Sequence, residues 1–261
     1  MFLRARGFEV ELLDNDPKVG GGHADDVLND KRFSDLYDRI KAGEFLAVFA
    51  APPCSTFSVA RFIVPRQGKR GAPPVRDREH VRGLTDVPAG HRRELEVANK
   101  IVARTAALLH CAALAGTSFI CENPADRGDS SLPHLYEEPR HGPIWLMPEF
   151  IALRRKHQAR FCTFPMCAVG SEYQKYTTLL YTSGFAPMLD SLDSRRCDHP
   201  PGSHKPAGGV RDADGNWNSR ESAAYPPDFN VLVAEAILRL ASANISPGDV
   251  APIATLPVDG N

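Results

Sequence analysis

The chain lacks a large excess of either charge, because 31 Lys and Arg face 32 Asp and Glu for a net charge of −1. This balance excludes a polycation, so any contact with nucleic acid must come from a local basic patch. No secretory leader is visible, and no apolar stretch approaches the roughly 20 residues that a membrane span requires. The sequence also has no internal repeat.

A disulfide framework is missing as well. Six cysteines are scattered along 261 residues without tight spacing, which favours a reduced, intracellular setting in the cytoplasm or nucleus. With 43% hydrophobic and 24% charged residues, the composition is that of a globular protein. The length suits one large α/β domain or a domain with a small appendage.

The first informative stretch is an apolar run over residues 45–50 that meets Pro52 and Pro53 and then Cys54. The run predicts a buried strand of a parallel sheet, which the prolines end. Cys54 would then stand at the carboxyl end of a strand, where open α/β sheets place their ligands. Cys54 is therefore a candidate nucleophile, and the alternative is a small packed side chain.

A second β-rich run, over residues 117–121, ends on Glu122, Asn123 and Pro124. Two neighbouring strands would then bring a thiol and a carboxylate to the same edge of the sheet. A long apolar stripe from about His91 to Ala115 predicts the crossover helix between them.

At these two motifs the sequence resembles the DNA cytosine-5 methyltransferases, through Pro53-Cys54 with Phe57-Ser58 and through Glu122-Asn123. The resemblance implies a Rossmann-like class I methyltransferase sheet, S-adenosyl-L-methionine as cofactor and a base flipped out of double-stranded DNA. It implies that Cys54 adds to ring carbon 6 of cytosine while Glu122 acts at ring nitrogen 3. It also assigns Pro52 and Pro53 to the cofactor and Ser55, Phe57, Ser58 and Asn123 to the substrate.

The family begins with a strand and a glycine-rich turn, and this chain starts at the position of the helix that follows that turn. We therefore expect an α/β sheet in which the first strand is missing, together with the N-terminal glycine-rich motif. Because the glycine-rich motif is missing, two other functions remain open. One is a catalytically inactive, methyltransferase-like DNA-binding protein, and the other is a cysteine enzyme that modifies pyrimidine nucleotides.

Two acidic positions are candidates for holding the cofactor. Residues 9–13 are predicted to form a strand that leads to Asp14, where an acid commonly takes ribose hydroxyls, although a plain turn explains the same residues. The resemblance assigns the ribose to Asp14 and the adenine amino group to Asp26, with Asp25 as an alternative.

Residues 59–93 are predicted to form a long basic connection without clear periodicity, either a loop that closes over DNA or a solvated loop. Apolar periodicity predicts further helices over 30–43, 143–153 and 230–243, and a hairpin of strands over 161–164 and 177–182. The family has a Gln-x-Arg-x-Arg signature near that hairpin. The resemblance assigns Gln158 to the substrate and Arg160 to catalysis. Lys175 is a second cation near the hairpin and a candidate for binding the base or a phosphate of the substrate.

The domain organisation follows from these patterns. Residues 1–182 are predicted to form the methyltransferase-like domain, 183–221 a loop-rich insert, 222–245 a C-terminal helix that packs back, and 246–261 a flexible tail. Within the insert, Cys197, His199 and His204 have plausible spacing for zinc, and Cys167 lies upstream. The alternative is a surface loop without metal.

Overall fold

The computed structural model describes residues 2–17, 21–63, 72–205 and 222–244. Its centre is an open sheet of four strands, β1 (Ala47–Ala50), β2 (Ser118–Pro124), β3 (Arg160–Pro165) and β4 (Tyr176–Tyr181), in the order β1-β2-β4-β3. β1 and β2 are parallel, with Ala50 opposite Cys121. β4 is antiparallel to both of its neighbours, so the sheet is mixed.

The helices cover the sheet much as the apolar periodicity predicts. They are α1 (Asp30–Lys41), α2 (Ala89–Leu114), α3 (Pro148–His157), α4 (Ala186–Leu189) and α5 (Pro227–Asn244). α2 connects the two parallel strands and packs against α1 and α3. The predicted hairpin is also confirmed, since β3 and β4 pair over their full lengths.

Two apolar clusters stabilise the sheet. One joins β4 and β3 to α5, with Phe164, Leu179 and Phe229 almost completely buried. The other joins β2 to α2 and α3. Burial of such side chains, at about 1.5–3 kcal/mol each, is the main source of stability for the strands that carry the site.

The predicted strand over residues 9–13 is wrong for the described part of the chain, where this segment pairs with no strand. The side chains of this segment contact α1 instead. Glu11 forms ion pairs with Arg32 and Arg39, and Leu13 packs among the apolar residues of α1 and α2. Within the described residues β1 is therefore an edge strand.

The helix predicted over 143–153 begins later than expected. Residues Ile144–Leu146 form a short 3-10 turn, and α3 starts at Pro148. Met147 is extended because the following proline disfavours the helical conformation, whereas proline itself suits the first position of a helix.

The segment after β4 is not the loop that the sequence predicts. Residues 183–194 form helical turns, including α4, because Phe185, Leu189 and Leu192 recur at helical spacing and are buried. Residues 206–221 of the predicted insert and the predicted tail over 246–261 lie outside the described residues.

α2 also corrects the expectation about apolar stretches. By length and composition alone it is apolar enough to cross a membrane, a test that core helices of globular proteins pass too. Here Val102, Leu109 and Ala112 are at most 1% exposed and pack beneath the sheet and its neighbouring helices.

Candidate active site

The carboxyl ends of β1 and β2 bring the two predicted catalytic residues to one edge of the sheet. Cys54 follows β1 after the two prolines, and Glu122 lies near the end of β2. Asn123 fastens the two segments, because its Nδ2 atom donates a hydrogen bond of 2.8 Å to the carbonyl oxygen of Pro52. The Oδ1 atom of Asn123 is buried and has no hydrogen-bond partner among the described residues, so an acceptor is available at this edge.

The Glu122 carboxylate is 4% exposed and has three polar neighbours. Thr177 donates a hydrogen bond to Oε1, and the Tyr225 hydroxyl donates one of 2.7 Å to Oε2. The Lys175 ammonium nitrogen lies 3.7 Å from Oε1. These contacts compensate for the loss of water around a buried carboxylate.

The same charges act on the Cys54 thiol, which is half-buried. Burial raises the pKa of Cys54, the Lys175 ammonium lowers it, and the Glu122 carboxylate raises it. Because both charged groups influence the thiol, Cys54, Glu122 and Lys175 belong to one electrostatic environment. The raised pKa keeps the resting group mainly as the thiol at neutral pH.

Sequence reasoning missed Tyr225 as a site residue, as it missed Thr177. Tyr225 precedes α5, and its ring meets Phe49 of β1 edge-on at 5.9 Å and lies against Phe229 at 4.9 Å. Burial and the Glu122 carboxylate raise the pKa of its hydroxyl, which therefore remains a proton donor to Glu122. A tyrosine followed by two prolines predicts a turn, and no local pattern indicates that it contacts β2, which lies far away in sequence.

A cavity of about 320 Å³ lies beside this edge. All four residues predicted to hold the cofactor line it, namely Asp14, Asp26, Pro52 and Pro53, together with the alternative acid Asp25. Apolar side chains of β1 and α2, including Val48 and Leu108, complete the wall. Its volume falls in the range of about 300–1,000 Å³ that is typical of small-molecule sites.

Two acids of this cavity, Asp14 and Asp26, are held by neighbouring backbone amides. Asp14 Oδ1 accepts a hydrogen bond from the Asp16 amide, and Asp26 Oδ1 accepts one from the Leu28 amide, each at 2.8 Å. In residues 2–17 and 21–63 neither Oδ2 atom takes part in a hydrogen bond or an ion pair, so each carboxylate keeps an oxygen for a ligand. Gly21 permits this arrangement, because a Cβ atom there would lie 1.8 Å from the carbonyl oxygen of Asp14.

The segment just after Cys54 is anchored by side chains that are buried in the core. Phe57, a predicted substrate residue, is 2% exposed and lies under the guanidinium of Arg76, 3.8 Å from the ring centroid. Arg76 is itself 1% exposed, donates hydrogen bonds to Thr56 and Asn99, and has its pKa lowered to about 10 by burial. Phe57 therefore packs in the core beneath the cysteine loop.

Ser55 and Ser58 also have local roles. The Ser55 carbonyl accepts a hydrogen bond of 2.6 Å from Arg61, and Ser58 caps a short turn by accepting one from the Ala60 amide. Together with the contacts of Phe57, these bonds fix the shape of the loop that presents Cys54.

Several arginines of the basic connection over residues 59–93 form ion pairs within the protein and are therefore not available to bind DNA. Arg61 also donates to Glu94, and Arg78 bonds Asp126 at 2.8 Å, so these cations are used within the protein. Arg92 and Arg93 are exposed at the start of α2. Three further cations of the same connection, Arg66, Lys69 and Arg70, lie outside the described residues.

Two residues assigned through the family signature stand apart from this edge. Arg160 begins β3, is half-exposed, and pairs with Asp190 at 2.7 Å. Gln158 is the left-handed C-cap of α3, with φ of 51°. Among the contacts of the described chain, neither side chain meets Cys54 or Glu122, and Lys175 is the cation that does reach the carboxylate.

Two other features lie outside this edge. A larger cavity of about 500 Å³ is lined by other residues, including Arg78, Trp145 and Arg154. Neither cavity has Cys54 or Glu122 among its lining residues, and only the smaller one includes Pro52 and Pro53 next to Cys54. Elsewhere the structure gathers the four residues considered for zinc into one cluster, namely Cys167, Cys197, His199 and His204.

These observations define the class of the molecule as an α/β protein with an open, mixed four-stranded sheet and flanking helices, compatible with a Rossmann-like fold. No protein-family model, curated protein or solved structure matches the chain.

Proposed function

We propose that the chain transfers a methyl group from S-adenosyl-L-methionine to carbon 5 of a cytosine in DNA through a covalent adduct at Cys54. One observation carries the proposal: a thiol and a buried, hydrogen-bonded carboxyl group share one edge of the sheet beside a cavity whose lining includes Asp14 and Asp26. Few reactions need this combination. Activation of carbon 5 of a pyrimidine is one that does.

The cysteine supplies the first step. The sulfur of Cys54 forms a bond to carbon 6, and the electron pair of the 5,6 double bond moves into the ring toward nitrogen 3. Lys175 assists by favouring the thiolate, which partly offsets the burial that raises the pKa of the Cys54 thiol. Carbon 5 becomes nucleophilic as a result.

Glu122 supports the same step from the other side of the ring. A proton held between its carboxyl group and nitrogen 3 compensates for the electron density that the sulfur adds. Thr177 and Tyr225 hold the carboxyl group in position, and the unpaired Asn123 oxygen offers an acceptor for the exocyclic amino group. After methylation, water takes the carbon 5 proton, the sulfur of Cys54 leaves as the thiolate, and the nitrogen 3 proton returns to Glu122, which restores the aromatic ring.

The cavity residues fit the cofactor. S-adenosyl-L-methionine, when bound, supplies an electrophilic methyl group. The free carboxylate oxygens of Asp14 and Asp26 suit hydroxyl and amino donors, and the apolar wall from β1 and α2 suits an adenine ring. Pro52 and Pro53 line the cavity and directly precede Cys54, so cofactor and nucleophile would be neighbours.

Calorimetric titration with S-adenosyl-L-methionine tests this assignment. We expect binding by the intact chain and about 10- to 150-fold weaker binding by Asp14→Asn, since a charge-assisted hydrogen bond contributes about 1.5–3 kcal/mol. Asp38→Asn removes the same charge from an exposed position of α1 and serves as the matched control. Absence of binding by the intact chain at millimolar cofactor would refute the proposal and favour the catalytically inactive DNA-binding alternative.

Transfer is then measured with tritiated cofactor on duplexes of random sequence, because the target site is not specified in advance. We expect 5-methylcytosine in DNA with the intact chain and none with Cys54→Ser. Labelling of free cytidine nucleotides in place of DNA would contradict the DNA substrate and favour a nucleotide-modifying enzyme.

A further inference from the structure

A second cluster of reactive side chains lies outside the candidate active site. Cys167 belongs to a 3-10 turn between β3 and β4, and Cys197, His199 and His204 follow the helical turns after α4. One ligand atom from each of the four lies within 4.8 Å of all the others. We propose that these four side chains bind one zinc ion as a structural Cys₂His₂ site, independently of the proposed methyl transfer.

The distances fit a tetrahedral ion. The sulfur of Cys197 lies 3.6 Å from Nδ1 of His199 and 3.6 Å from Nε2 of His204. In a tetrahedral zinc site, with bonds of about 2.3 Å to sulfur and about 2.05 Å to nitrogen, sulfur and nitrogen ligands stand about 3.6 Å apart. The two histidine rings are nearly perpendicular, at 79°, so their nitrogens approach a common point from different directions.

The donor set also selects the metal. Two thiolates and two imidazoles form the set that zinc takes in closed structural sites, whereas magnesium and calcium prefer oxygen ligands. Because all four positions of the tetrahedron are filled by the protein, this site would have no open position for catalysis.

Zinc here would fasten two segments that direct contacts already bring together. Arg195 donates a hydrogen bond of 2.8 Å to the carbonyl of Ala168, and the Lys205 amide donates one of 3.0 Å to the carbonyl of Glu172. Cys197, His199 and His204 lie between Arg195 and Lys205 in the sequence, and Cys167 directly precedes Ala168. The hairpin loop that it would hold continues directly to Lys175.

The test loads the reduced, full-length chain with zinc, removes free metal by gel filtration and measures bound zinc by mass spectrometry. We expect about one zinc per chain, falling at least about fivefold in Cys197→Ser and in His199→Asn. His199 is exposed, so its substitution leaves the fold intact. Cys54→Ser and His134→Asn change a cysteine and an exposed histidine outside the cluster and should keep the full zinc content.

Cobalt substitution gives an independent readout. We expect the intense visible bands of a tetrahedral ion and a thiolate-to-cobalt charge-transfer band that weakens to about half in Cys167→Ser. Three results would overturn the site: less than about one zinc in five loaded chains, zinc retained unchanged by Cys197→Ser, or a Cys167–Cys197 disulfide forming in the presence of zinc.

Discussion

Replacing Glu122 with glutamine should change the reactivity of Cys54 and the catalytic activity in opposite directions. The substitution keeps the shape of the side chain and an oxygen that can accept from Thr177 or Tyr225, but it removes the negative charge. Because this charge raises the pKa of Cys54, its loss should lower that pKa and increase the thiolate fraction at neutral pH.

Coulomb's law sets the scale of the effect. For two unit charges about 6 Å apart and an effective dielectric constant of about 40, between the values for a protein surface and for water, the interaction is about 1.4 kcal/mol, a factor of about ten in the thiolate fraction. A thiolate that becomes about tenfold more abundant because the pKa of its thiol falls is intrinsically about threefold less nucleophilic. The net expectation is about a threefold faster reaction of Cys54 with a disulfide reagent.

The assay follows modification of the Cys54 peptide by mass spectrometry at pH 7 with a small aromatic disulfide. Peptide resolution separates Cys54 from Cys197, which is also partly accessible. Glu44→Gln removes the same charge from an exposed position beyond α1 and should leave the rate unchanged. In parallel, methyl transfer by Glu122→Gln should fall about 10²–10⁴-fold, the usual contribution of a positioned acid or base.

An equal or slower reaction of Cys54 in Glu122→Gln would refute the reasoning, since the carboxylate would then not act on the thiol. If the thiol reacts faster and methyl transfer stays at its full rate, Glu122 does not act as the acid in the reaction. The proximity of Glu122 and Cys54 at one edge of the sheet would still be supported.

Three further substitutions follow from the same contacts. Lys175→Gln removes the cation that lowers the pKa of Cys54, so the pH profile of thiol modification should move to higher pH and the rate at pH 7 should fall severalfold. Tyr225→Phe deletes a hydrogen bond to a charged group and should cost about 1.5–3 kcal/mol in urea unfolding, and an unchanged midpoint would contradict that contact. Arg76→Met leaves buried acceptors without donors and should lower the free energy of unfolding by about 2–3 kcal/mol. The control Arg82→Met changes an exposed, ion-paired arginine and should lower it by less than about 0.5 kcal/mol.

The sequence was most informative where two strands end. Apolar runs followed by Pro52 and by Glu122 predicted parallel neighbours, and parallel neighbours place their carboxyl ends at the same edge. Asp14 and Asp26 come together at the cavity although the strand predicted before Asp14 does not form. The acids reach the cavity because turns, which Asp and Gly favour, position them.

Long-range partners could not be predicted in the same way. Thr177 and Tyr225 reach Glu122 through the antiparallel pairing of β4 and the packing of α5, which no local periodicity encodes. The burial of Arg76 could not be predicted either. A cation in a segment rich in proline and glycine is expected to be exposed to solvent, and only the structure shows that this one stacks on Phe57.

The helical turns around Leu189 and Leu192 were missed for a related reason. Each turn is short, and polar residues separate the apolar positions, so the composition resembles a loop. Burial against the sheet, and not local propensity, stabilises them.

Covalent capture of a cytosine by Cys54 tests the central claim most directly. A pool of random duplexes containing 5-fluorocytosine is incubated with the chain and S-adenosyl-L-methionine, and fluorine in place of the carbon 5 proton prevents release of the sulfur. We predict a denaturation-resistant protein–DNA adduct whose cross-linked peptide contains Cys54 and which is absent in Cys54→Ser. An intact chain that binds both cofactor and DNA but forms no adduct at Cys54 would contradict the account.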